Sequence, residues 1–167
     1  MSPLFTLFLF LHIVAAIVAF GPTFAFPLIA AAGQQNRQHA AFAAEVNEKI
    51  EEKLVLPLAL SMPVTGAGMI IFGGVNLFQF WLIAAIIVYV IAISYSIFIQ
   101  GPAGKELAQL LTNMPAPSPG PGAALAEPAG APPARLVELG GQMQRGGMIL
   151  TVLLLAILFL MIVRPAF

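Results

Sequence analysis

Apolar residues fill four long stretches of this chain, at about Leu4 to Ala32, Leu54 to Leu77, Phe80 to Gln100 and Gln142 to Val163. Each is close to the ~20 residues that a helix needs to cross ~30 Å of hydrocarbon at ~1.5 Å per residue. The pattern predicts an all-α fold, a four-helix transmembrane bundle formed as a single integral membrane domain over 1–167. The first run follows a leader, MSPLF, without Lys or Arg. It also exceeds the ~7–15 apolar residues of a cleaved signal, so it is expected to be a retained span.

The polar segments organise what lies between. In AAFAAEVNEKIEEK, Phe42, Val46 and Ile50 recur every four residues while Glu45, Glu48, Lys49, Glu51, Glu52 and Lys53 take the other faces. This spacing predicts an amphipathic helix over 40–53 that lies at the headgroup level and leads into the second span. Only a few residues, Asn76 to Gln79, join the second and third spans, which must therefore be antiparallel neighbours. After the third span, Gly101, Pro102 and Gly104 are expected to open a short polar helix containing KELAQLL. Half of the 14 prolines then fall in 113–133, a composition that reads as a flexible Pro-rich linker.

Composition sharpens this picture. The chain has 167 residues, 60% hydrophobic and 8% charged, with a mean hydropathy of +0.97, whereas soluble domains carry roughly 25% charged residues. A net charge of +0 argues against a nucleic-acid partner, and the absence of cysteine removes disulfides and thiolate metal sites. The partner it does imply is the lipid bilayer. Arg37, Lys49 and Lys53 sit in the first loop and Lys105, Arg135 and Arg145 in or near the third, while only Arg164 follows the fourth span. Cytoplasmic loops collect Lys and Arg, so the N-terminus and C-terminus are both expected outside, with the 40–53 helix in the cytoplasm and Trp81 at the outer interface.

Helix contacts in lipid concentrate on small and polar residues. Stripes at helical spacing therefore mark the interior: His12, Ala16, Ala19 and Thr23; Ser61, Thr65, Gly68, Phe72 and Asn76; Ala85, Tyr89, Ala92 and Ser96. The Leu- and Ile-rich fourth span is expected to be peripheral or to face another subunit. Internal prolines, Pro57 and Pro63 among them, predict a bent second span.

His12 is the one ionisable residue well inside a span, and such residues are functional hypotheses by default. Its imidazole could ligate haem b or a chlorophyll-type pigment, relay a proton, or hydrogen-bond to a neighbouring helix. His39, 27 residues on and near the opposite surface, is too far to share one ligand with it. Equal depth on the other spans gives Met69 and Tyr89, with Thr65 one turn from Met69; His and Met are a known axial pair, and Tyr a rarer ligand. Arg145 is expected to snorkel to the headgroups, within reach of Glu138. No hydrolase, kinase or transporter motif and no metal-ligand cluster is visible.

Leu11-His12, Gly21-Pro22, Thr65-Gly66 and the GGVNLFQFWL hairpin from Gly73 to Leu82 resemble the bacterial integral membrane proteins of domain-of-unknown-function family 2269. The similarity spans the first three helices and most of the fourth, and it implies a multi-pass protein of the bacterial cytoplasmic (inner) membrane. More distantly, the family resembles copper-resistance membrane proteins and the haem-binding membrane proteins of protoporphyrinogen oxidation. The latter carry a histidine in an early span, which implies a ligand role for His12, although the basic partner expected inside a later span is missing here. The favoured reading is a non-catalytic accessory or structural subunit of a membrane assembly, its partners other membrane subunits or a second copy through the fourth span. The alternative is a haem- or pigment-binding redox protein with His12 as axial ligand; a small metal or solute carrier ranks third, for want of polar lining.

Overall fold

The computed structural model describes residues 2–33, 37–114 and 133–165. Most of the Pro-rich segment 113–133 lies outside the described residues. Among the described residues six α-helices form: α1 (Pro3–Gly33), α2 (Arg37–Ile50), α3 (Leu56–Gly73), α4 (Phe80–Tyr95), α5 (Gly101–Asn113) and α6 (Ala134–Val163). Among the described residues there is no strand, and four helical runs are long and apolar enough to cross a membrane.

Two of those runs are composite. A π-helical turn, Glu51–Val55, joins α2 to α3, and a second, Ser96–Gln100, joins α4 to α5. Unbroken helix therefore extends over His39–Gly73 and Phe80–Asn113, where the sequence pattern places a boundary at Gly101 and Pro102. Proline explains both turns. Pro57 and Pro102 have no N–H to donate, and their rings press on the carbonyls four residues back, those of Lys53 and Phe98. Widening the preceding turn relieves that pressure without ending the helix. The Leu56 N–H then donates to the Glu51 carbonyl and the Gly101 N–H to the Ser96 carbonyl, each spanning five residues.

Small residues set the packing. α1 runs antiparallel to α3, burying Ala15 and Ala19 against a face that includes Ala59, Met62, Thr65 and Gly68. Gly68 is needed for the close approach, because a Cβ there would overlap the Phe8 ring. Phe8 in turn stacks on Phe72, with ring centroids 5.5 Å apart. The α2 face follows the same rule: Ala43 is buried against Gly33, whereas Phe42 is 69% exposed. Of its apolar stripe only Phe42 is turned fully outward, while Val46 and Ile50 are half-buried. Phe72 and Asn76, by contrast with Thr65 and Gly68, remain largely exposed at the end of the α3 stripe.

α6 packs along α4 and α5, burying Leu139, Gly146 and Leu154, and leaves Met148, Val152, Leu155, Phe159 and Ile162 exposed on its other side. It thus packs on the bundle along one side and keeps an open aliphatic side.

The two ends of the molecule differ. At one end the Ser2 hydroxyl donates to the Phe72 carbonyl at 3.1 Å, and the Arg164 guanidinium lies 5.2 Å from the centre of the Trp81 ring. Ser2, the α3–α4 turn and Arg164 therefore share this end, where Gly74 (φ 64°) closes α3 in the left-handed conformation. At the other end Arg135 forks onto Glu106 with two bonds of 2.7 Å and reaches Glu138 at 3.0 Å, while Lys105 approaches Glu52 at 3.7 Å. Glu138 is held by Arg135, three residues away, and not by Arg145.

Candidate functional site

His12 faces α3 from the first third of α1. Its Nδ1 lies 2.8 Å from the Thr65 hydroxyl oxygen, and its Cε1 is close enough to Gly66 that a Cβ there would sit at 3.6 Å. Thr65 also has two carbonyls of its own helix within reach, Met62 at 3.1 Å and Ser61 at 3.3 Å. A threonine hydroxyl has one proton to give. When it goes to a carbonyl, Thr65 accepts from Nδ1–H and the imidazole keeps a lone pair on Nε2; when it goes to Nδ1, Nε2 carries the proton. Only the first arrangement leaves a ligating nitrogen.

The other two residues matched by depth are placed differently. The Tyr89 hydroxyl donates to the Ala59 carbonyl at 2.9 Å. Ala59 is six residues from Thr65, or about 9 Å along α3, so this bond ties α4 to α3 at a separate level. Met69 is half-buried one turn beyond Thr65. Of the four residues singled out by depth and polarity, the structure joins His12 and Thr65 directly.

Two polar residues that matter here escape a reading by charge pattern. Glu51 looks like one of many acidic residues on the α2 surface, yet its carboxylate accepts a hydrogen bond from the Ser96 hydroxyl at 2.9 Å, between the two π turns. The stripe would have found it: stepping back from Thr65 through Met62, Ala59 and Val55 in threes and fours arrives at Glu51. Gln100 is 92% removed from solvent, being 8% exposed. Its Nε2 donates to the Met143 carbonyl at 3.0 Å, and its Oε1 has no partner.

A cavity of about 60 Å³ opens between α1, α3, α4 and α6, and Tyr89 lines it, but His12, Thr65 and Met69 do not. Sites for molecules of drug or cofactor size are typically about 300–1,000 Å³. A haem or chlorin does not fit this space. Among the described residues no group of three His, Cys, Asp or Glu could hold a metal ion.

The family described as predicted integral membrane protein (DUF2269) matches residues 6–165. The chain belongs to that family. No curated protein and no solved structure matches it. The DUF2269 match extends from the first turns of α1 to the residue after Arg164, so it takes in all four spans, both π turns and the His12–Thr65 pair.

Proposed function

We propose that this DUF2269 protein is a non-catalytic accessory or structural subunit of an assembly in the bacterial cytoplasmic membrane, with the bilayer and further membrane subunits as its partners. What supports the reading is the use made of the interior polar groups. His12 and Thr65 hydrogen-bond α1 to α3, and Tyr89 hydrogen-bonds α4 to α3. Such bonds hold a bundle together in lipid, where apolar contact gives little preference for protein over acyl chain. The chain stands with both termini outside and the polar end, with α2 and α5, in the cytoplasm; the Lys and Arg gathered at that end support this side.

A visible absorption spectrum of the protein purified from its native membrane tests the proposal. The expected result is no Soret or chlorin band, and one size by native mass measurement that exceeds the single chain. A Soret band lost in His12→Gln would overturn it in favour of a His12-ligated pigment protein.

A further inference from the structure

The cavity is lined by one carboxylate, that of Glu51, among mostly apolar walls. Its walls are largely aliphatic, with Val55, Ala59, Ala92, Ile93 and Leu154 among them, while Glu51, Ser96, Thr23 and Tyr89 supply polar groups. Glu51 and Ser96 stand together, and Tyr89 meets α3 at Ala59, eight residues or about 12 Å along from Glu51. With ~10–15 Å³ needed for one water, about 60 Å³ holds on the order of four small heavy groups.

Glu51 is out of balance in this setting. Its neighbour Glu52 has Lys105, and Glu45, Glu106 and Glu138 have Lys49 or Arg135. Among the described residues no basic side chain pairs with Glu51, whose one bond comes from a neutral hydroxyl. A carboxylate drawn into a low-dielectric cleft is costly without a countercharge. A hard metal ion would need six or more oxygens, and the aliphatic walls do not provide them. A primary ammonium needs only three acceptors, and an attached alkyl chain suits the remaining surface.

We propose that the cavity binds a primary ammonium group on a short alkyl chain, with Glu51 as counter-ion, the Ser96 and Thr23 hydroxyls beside it and the alkyl part directed toward Tyr89. Glu51 lies 22 residues from Gly73, or about 33 Å along the helix, which puts it near the far edge of a ~30 Å hydrocarbon layer. Two sources share this chemistry at that depth: a free small amine and the ethanolamine headgroup of a lipid. The site stands independently of the role given to His12.

The full chain in phosphatidylcholine nanodiscs, which offer no N–H donor, tests the site. Titration with n-propylammonium chloride should raise the unfolding temperature saturably, while equal sodium chloride should not. Replacing part of the lipid with phosphatidylethanolamine should raise it without added amine if the headgroup is the source. Either response should weaken about tenfold or more in Glu51→Gln, the scale of a charge-assisted hydrogen bond. Ala92→Leu, which fills the chamber and leaves the carboxylate in place, should weaken the propylammonium response as well, and it decides the matter if Glu51→Gln does not fold. No response from either source, an equal response to sodium, or an unchanged response in Glu51→Gln or Ala92→Leu overturns the proposal.

Discussion

The Gln100 carboxamide occupies the space that a side chain on Gly146 would take, and from there its Nε2 reaches the Met143 carbonyl. α4–α5 and α6 are thus locked by one amide in one notch. Gly146→Ala should force that amide out of a buried site and cost about 1–3 kcal/mol, the usual range for overpacking. Gly147→Ala, where a Cβ meets nothing within 4 Å, should be neutral or slightly stabilising. Thermal unfolding of both variants in one detergent makes the comparison.

His12 and Thr65 should behave as a coupled pair. A double-mutant cycle with His12→Gln and Thr65→Val is expected to give a coupling near the ~0.6 kcal/mol average for hydrogen bonds between helices in membranes. Steric trapping or reversible unfolding in mixed micelles can measure it. A coupling near zero would mean that the 2.8 Å contact adds nothing to packing.

Topology can be read directly, because the chain has no cysteine to remove. Single cysteines at Ser2, Glu48 and Ser118 and after Arg164 should be labelled from outside intact cells only at the first and last positions. Ser2 and Arg164 share an end in the structure, so those two should respond alike in any orientation. Labelling of Ser118 from outside would reverse the assignment of sides.

The segment 113–133 should be replaceable. Arg135 already fastens the start of α6 to Glu106 on α5, and loop-closure entropy grows only with the logarithm of length. A Gly/Ser segment of equal length should leave the unfolding temperature unchanged.

How much of this was visible in the sequence depends on which force decides each feature. Spans and interior stripes were legible because they depend on side-chain size and polarity alone: Ala19 is 0% exposed, and Thr65, Gly68 and Ala85 are buried. The π turns were not, because proline disrupts an α-helix without dictating whether the helix stops, bends or widens. That choice depends on the neighbouring helices. Glu51 was hidden for another reason. Five other charged residues lie within six positions of it, so the charge pattern hides it, and only the interior stripe continued back from Thr65 through Val55 singles it out. Gln100 stood at an expected helix end and proved to be mid-helix, where its amide must find a partner or a gap.

The turn between α3 and α4 bears on how the protein enters its membrane. No charged side chain lies anywhere between Lys53 and Lys105, so the whole hairpin is electrically neutral. Carrying its tip across the bilayer exposes only backbone amides and the carboxamides of Asn76 and Gln79 to hydrocarbon, and Asn76 already shelters one backbone amide, its side chain accepting the Phe78 N–H at 2.9 Å. The two spans can therefore insert together, held on the near side by the charged residues that flank them, and each then packs on a different helix, α3 on α1 and α4 on α6.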